Sequence, residues 1–384
     1  MMSEDRGTLK PGKYFMNGDQ ACVEGAILAG CRFFAGYPIT PSSEIFEGAC
    51  TRFPQVGGNA IEMEDEISSV AALIGASFAG AKVMTATSGP GFSLMMENIG
   101  LAYMMEAPSV LVDVQRAGPS TGIPTLVGQG DMMQAKWGSH GGIEAIAYCP
   151  GSVQEFFDLT IQAFNTAERF RTPVFVMADQ VVGMMWERFT VPPAEELEIV
   201  DRKTMDPATA RDPSSSDKDG DFRPMPIAGM GCRANVDSLT HDWRGYPTTE
   251  HLASEKLIAH LRHKIQGHAS EIWKWDEVLL DDAEVAVISY GSAARSSLAA
   301  VKCARANGIR AGLLRLVTAW PFPDQVIEKL SRRVGHIVVA EINSGQMLHP
   351  VAEAAGCPVT PVTWAPGTLI EPDSITKAME ACVA

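Results

Sequence analysis

The acidic run Glu62-Met63-Glu64-Asp65-Glu66 stands directly before an apolar stripe. Acids in a first helical turn suit the positive end of the helix dipole, which is one reading of the cluster. Glu66 differs from its neighbours because it shares a helical face with Val70 and Leu73, so its carboxylate should point at packed surface. A desolvated carboxylate titrates high and can hold or exchange a proton near neutrality, as an acid–base or cofactor-activating group must. The segment VDVQR ends on Arg116 before a Gly- and Pro-rich loop. Guanidinium is a planar fork matched to a carboxylate, which makes Arg116 a candidate anchor for an acidic substrate; a salt bridge to a local acid is the alternative. In GYPITPSSE, Pro38 and Pro41 fix φ on either side of Thr40 at the end of a strand, where ligands gather in open α/β sheets. The same residues also suit a rigid turn with Ser42 or Ser43 as a helix cap. Finally, TATSGPGFS reads as a strand, a tight glycine turn and a helix start, so the backbone at Ser88 and Gly89 can approach a ligand closely.

These residues need elements to hold them. Residues 19–190 alternate between helical and strand patterns: a helix in GDQACVEGAILAG, the strand CRFFAGYPIT, a helix after Pro41, the extended NAIEM and a helix from about Asp65 to Ala79. The strand AKVMTAT, a helix near 92–106, the strand SVLVDVQR, IEAIAYCP, the helix SVQEFFDLTIQAFNTAERF and the strand PVFVMAD follow. Such alternation implies βαβ units and a parallel sheet. The pattern stops near Val191, where Pro, Asp and Ser accumulate as in a surface connection of functional length. It resumes after a helix in HLASEKLIAHLRHKIQ, with EVAVISYGS opening a second series of strands and helices. The reading is α/β throughout: a first unit over 1–190, a linker or wrapping insertion with a short helix over 191–275, and a smaller unit over 276–384.

Other chemistries lose support. There is no GxGxxG after a strand, no GxxxxGK[ST] and no HExxH. Asp219-Gly220-Asp221 reads as a solvated turn, and His260, His263 and His268 as one solvated helix face, so no metal site is expected. Residues 1–200 carry 11 basic and 23 acidic side chains against a whole-chain charge of −15, which leaves no basic stripe for nucleic acid. The eight cysteines stand singly, without a CxxC pair, as expected of reduced and mostly buried thiols; a redox cluster would have to come from another chain. No window has the length and apolarity of a membrane span and the N-terminus lacks an apolar leader, so a cytoplasmic location is expected.

GYPITPSSEIFE, EMEDEISSVAALIGASFAGAKVMTATSGPGFSLMMENIG, VDVQRAGPSTGIPT, GQGDMMQAKWGSHG, LTHDWRGYP and LRLVTAWPFP together resemble the alpha subunit of 2-oxoacid:ferredoxin oxidoreductases, of the 2-oxoglutarate type. The resemblance implies a thiamine-diphosphate-enzyme fold, with a PYR-like (pyrimidine-binding) parallel-sheet domain and a smaller transketolase C-terminal-like α/β domain. It implies thiamine diphosphate shared with a beta subunit that carries Mg²⁺ and a [4Fe–4S] cluster, with coenzyme A as co-substrate and ferredoxin as electron acceptor. An (αβ)2 heterotetramer, with or without gamma and delta chains, is the implied assembly. Carried onto this chain, the cofactor glutamate falls on Glu66, which would hydrogen-bond N1′ of the aminopyrimidine. The substrate pair falls on Thr40 and Arg116, and Ser88 and Gly89 fall beside the thiazolium. The implied reaction is reversible, CoA-dependent oxidative decarboxylation of 2-oxoglutarate to succinyl-CoA and CO₂. Pyruvate, a branched-chain or aryl 2-oxoacid, or oxalate would use the same anchor, and a non-catalytic scaffold subunit is the alternative of another class.

Overall fold

The structure, a computed structural model, describes residues 7–208, 222–232 and 234–383; the Asp219-Gly220-Asp221 triplet lies outside them. The first unit runs β1 (Gly12–Asn17), α1 (Gly18–Leu28), β2 (Phe33–Gly36), α2 (Ser43–Arg52), β3 (Asn59–Glu62), α3 (Glu66–Phe78), β4 (Val83–Thr87) and α4 (Gly89–Met104). It continues through β5 (Ser109–Ala117), β6 (Ile123–Val127), α5 (Met132–Trp137), β7 (Ala147–Tyr148), α6 (Val153–Phe170), β8 (Pro173–Asp179), α7 (Gln180–Met184) and β9 (Trp186–Val191). After the connection come α8 (His251–Gln266), α9 (Ala269–Ile272), β10 (Trp275–Val278), β11 (Val285–Ser289), α10 (Ala293–Ala306), β12 (Ala311–Leu316) and β13 (Thr318–Trp320). The chain closes with α11 (Asp324–Ser331), β14 (His336–Glu341), α12 (Leu348–Ala354), β15 (Val359–Thr363) and α13 (Pro372–Val383).

The main sheet has the order β13-β7-β8-β5-β4-β2-β3, with β6 folded back on β5. Strands β3, β2, β4, β5, β8 and β7 are parallel. Every residue of β4, β5 and β8 is buried, the unbroken burial of a parallel sheet with helices on both faces. One apolar layer joins α1 and α6 through Ala21, Phe157 and Phe164, and the other packs Phe92 of α4 edge-on against Phe175 of β8. From β2 the chain moves outward to β3 and returns to β4 on the other side of β2. That reversal opens a crevice at the carboxyl ends of β2 and β4.

The smaller sheet, β10-β12-β11-β14-β15, is parallel except for the antiparallel edge strand β10. Two elements depart from the sequence reading. Strand β1 pairs antiparallel with β9, Gly12 opposite Val191, far apart in the chain and without a local turn signal. Strand β13 leaves the second unit to pair antiparallel with β7, Thr318 opposite Tyr148. In addition, α4 begins at Gly89, not near residue 92: the expected glycine turn is its first helical turn, with Pro90 inside it.

The connection is pinned by buried charge. Arg202 pairs with Glu168 and donates Nη1 to Ser77 O and Nη2 to Ala81 O, both at 2.8 Å. Lys264 of α8 donates to Glu106 at 2.7 Å. Although burial pushes its carboxyl up, Lys264, Arg171 and His260 hold Glu106 well below the usual carboxylate range. His260 faces that same glutamate and His268 bonds Glu271, so both histidines have carboxylate partners within the chain. Of the cysteines, only Cys22, Cys31 and Cys149 are buried, whereas Cys50 and Cys303 are exposed on helix faces turned to solvent. That corrects the expectation of mostly buried thiols. Among the described residues no helix is long and apolar enough to cross a membrane.

Candidate active site

Glu66 opens α3 behind a capping box in which the Asp65 side chain accepts from Ser68 N at 2.7 Å. The cap sets the helix phase, and phase buries Glu66 (4% exposed) with Val70 and Leu73. Burial pushes its carboxyl up, its own backbone N–H opposes the shift, and neighbouring Asp65 adds to it. Across from it lies Gly91, where a Cβ would stand 2.3 Å from Glu66 Oε1 and 2.2 Å from Thr87 Oγ1. Only glycine leaves room there for the carboxylate.

Arg116, at the end of β5, is 8% exposed and makes no ion pair among the described residues. Its Nη1 donates to Thr40 O and its Nη2 to Thr121 O, each at 2.8 Å, while Nε is buried without a partner. The structure therefore brings Thr40 and Arg116 together, joined through the Thr40 backbone, with the Thr40 side chain exposed at the crevice. Ser42 stands at the cap position of α2 but spends its hydroxyl on Ile39 O at 2.9 Å, closing the turn instead of capping the helix. Ser88 is fully buried at the cap position of α4 with no partner for Oγ, and a Cβ on Gly89 would lie 3.4 Å from both Asp131 carboxylate oxygens.

Sequence reasoning missed three residues here: Gly91, Asp113 and Asp131. The signal for Asp113 was present, an acid inside the otherwise apolar strand SVLVDVQRA whose nine residues are all buried. Asp131 sits just before α5, with its backbone N–H on Gln115 Oε1 at 3.1 Å. The second unit clamps this loop: Gln346 Oε1 accepts from Met133 N at 2.8 Å, Trp320 Nε1 donates to Met132 O at 2.9 Å, and Asn343 Nδ2 donates to Gln129 O at 2.6 Å.

Comparison with known proteins decides the family. Residues 24–260 match the model described as pyruvate flavodoxin/ferredoxin oxidoreductase, thiamine-diphosphate-binding, and residues 283–375 match pyruvate:ferredoxin oxidoreductase core domain II. The chain is 51% identical to 2-oxoglutarate synthase subunit KorA of Methanocaldococcus jannaschii, covering 88% of this chain and 90% of that one.

The chain belongs to the 2-oxoacid:ferredoxin oxidoreductase family.

It is also 36% identical to ketoisovalerate oxidoreductase subunit VorB of Methanothermobacter marburgensis, over 89% of this chain and 90% of the relative. Among solved structures, the 2-oxoglutarate:ferredoxin oxidoreductase of Magnetococcus marinus superposes with a TM-score of 0.91 at 30% identity. That match covers 97% of this chain and 65% of the neighbour, whose structure holds 2-oxoglutarate, coenzyme A and succinyl-CoA. A split-gene transketolase, TM-score 0.56 at 14% identity, shares the fold alone. Together these establish the expected α/β architecture: a thiamine-diphosphate-binding parallel-sheet unit with a smaller second domain in an oxidoreductase subunit. As its relatives are named subunits, so this chain is one part of a multi-subunit enzyme.

The residues present fit thiamine diphosphate. Glu66 is a buried carboxyl with a raised titration, aimed into a glycine-lined notch at the crevice, able to hold or exchange a proton with a heteroaromatic nitrogen. Among the described residues no cluster of three His, Cys, Asp or Glu side chains that could hold a metal ion occurs.

Proposed function

We propose that the chain is the subunit that supplies the activating carboxyl and the substrate anchor for CoA-dependent oxidative decarboxylation of 2-oxoglutarate to succinyl-CoA and CO₂, with ferredoxin reduction. The observation that carries this is the Glu66 notch and the Arg116–Thr40 contact on one edge of the sheet, in a chain half identical to a 2-oxoglutarate synthase subunit. Bound thiamine diphosphate supplies the nucleophilic carbon and the electron sink. Glu66 holds a proton at its carboxyl for the aminopyrimidine nitrogen. The Arg116 fork, with Nε still free, orients the 2-oxoacid carboxylate, and Thr40 lines the same mouth. Ser88 and Gly89 would hold the thiazolium end of the bound cofactor.

The beta subunit, in an (αβ)2 assembly, brings the diphosphate, Mg²⁺ and [4Fe–4S] groups. Supporting this, the crevice edge carries exposed apolar side chains, Tyr37, Ile61, Ile67, Leu94 and Trp137, at 41–59% exposure, an edge that suits cover by a partner chain. The deciding experiment is turnover of the purified heteromer on 2-oxoglutarate, pyruvate and ketoisovalerate side by side, with viologen or ferredoxin as acceptor. Preference for 2-oxoglutarate is expected; equal or better kcat/KM on either rival rejects the substrate, and an unchanged rate in Glu66→Gln rejects the role of Glu66.

A further inference from the structure

Asp113 lies 1% exposed in the middle of the main sheet, and neither of its carboxylate oxygens meets a donor among the described residues. Its strand neighbours offer no charge: Thr87 of β4 and Met177 of β8 flank it in register. The carboxyl of Asp131 lies within hydrogen-bond reach, and its Oδ2 likewise lacks a donor among the described residues. Two carboxylates cannot bond each other without a proton between them. A buried pair stripped of both protons would be two adjacent, unsolvated anions, an arrangement proteins avoid by retaining one proton. Asp131 is not free to swing away, because Gln115 holds its backbone N–H and the second unit clamps the residues after it.

The pair sits where the chemistry is read. The charged group facing it is Arg116, on which both aspartates act. From α4 the neutral Gly89 approaches the Asp131 oxygens, beside the unpartnered, fully buried Ser88 hydroxyl. Thr87, the register partner of Asp113, also borders the Gly91 notch that holds Glu66. We propose that Asp113 and Asp131 are positioning residues that hold a single proton between them behind Arg116, and that their proton count sets the charge Arg116 presents to the 2-oxoacid carboxylate. With one proton, the pair carries one negative charge and offsets the guanidinium. With a second proton taken from solvent, the pair is neutral and the guanidinium charge is fully available to the incoming anion. Burial, with the Asp113 hydrogen bond and the Arg116 charge opposing it, pushes the Asp131 carboxyl above the usual carboxylate range. Substrate binding thereby draws a proton in, and KM rises with pH as the pair sheds its second proton, by no more than tenfold per unit for one linked proton.

This rests on the substrate-anchor reading of Arg116, so the test has one arm that does not. Infrared difference spectra of the assembled enzyme, wild type minus Asp131→Asn and wild type minus Asp113→Asn at neutral pH, should each show a protonated-carboxyl stretch. The Asn amide donates the hydrogen bond itself and needs no shared proton. Asp131→Glu keeps the pair and should keep the band. Absence of the band from both differences overturns the proposal whatever the substrate. In the kinetic arm, the Asp113→Asn/Asp131→Asn enzyme should lose the pH-dependent rise of KM while kcat keeps its own profile. If the band is present but the KM profile is unchanged, the pair does not set the charge of Arg116 and the proposal is likewise overturned. Should the double variant fail to assemble, the same KM comparison is made between Asp131→Asn, which flattens the rise, and Asp131→Glu, which restores it.

Discussion

Gly91 and Glu66 occupy a single contact: the space a Cβ would take on one is held by the carboxylate of the other. Gly91→Ala should therefore expel the Glu66 carboxyl, a flexible side-chain end, and also crowd the fully buried Thr87 hydroxyl, at some cost to the fold. A lowered melting temperature, with kcat of the folded enzyme lowered about a hundredfold, the low end of general acid–base contributions, is expected. Retained kcat would show that Glu66 need not lie in the notch.

Arg116 donates to two backbone carbonyls and keeps Nε in reserve. Lysine keeps the charge and loses the fork. Arg116→Lys should raise KM for 2-oxoglutarate by roughly 10- to 100-fold, the size of about 1.5–3 kcal/mol for a hydrogen bond to a charged group. Steady-state kinetics across a substrate series checks it, and an unchanged KM rejects the anchor.

The Arg202–Glu168 pair, 4% and 3% exposed, ties the connection to α3 and α6. Glu168→Gln leaves a guanidinium buried with neutral acceptors alone. Breaking such a pair costs about 3–5 kcal/mol. Denaturant unfolding should show a lowered midpoint, and an unchanged midpoint would mean that water reaches Arg202.

Asp19, fully buried in the first turn of α1 with neither oxygen partnered, has its carboxyl pushed well above the ordinary range by burial and then by Glu44. In the window above its ordinary value the folded chain holds a proton that the unfolded chain has released. Stability therefore falls as pH rises through that window, by up to about 1.4 kcal/mol per pH unit for one such group. Asp19→Asn should make the fall in melting temperature between pH 5 and 8 shallower. An equal slope in wild type and variant would show that Asp19 is ionised in the fold.

The fold was largely legible because parallel strands buried on both faces appear in sequence as apolar runs, such as PVFVMAD, and helices between them as periodic stripes such as SVQEFFDLTIQAFNTAERF. Glu66 was legible for the same reason, since helical phase alone assigns it to the buried face. What escaped depends on contacts between distant segments. Nothing near Gly12 announces Val191, and nothing in TAW announces a partner in Ala147–Tyr148. Asp113 and Asp131 are separated by a hairpin that only the β5–β6 pairing closes. Gly91 reads as one more small residue until Glu66 is seen to fill its Cβ position.

Strand β13 gives synthesis an order. The main sheet draws its other strands from residues 33–179, yet its outermost strand is not available until residue 320 has left the ribosome. Until then the two-residue β7 is an open edge, and the loop before α5 lacks Trp320, Asn343 and Gln346 as its clamps. The nascent chain can assemble most of its scaffold early, but the mouth of the site is finished last.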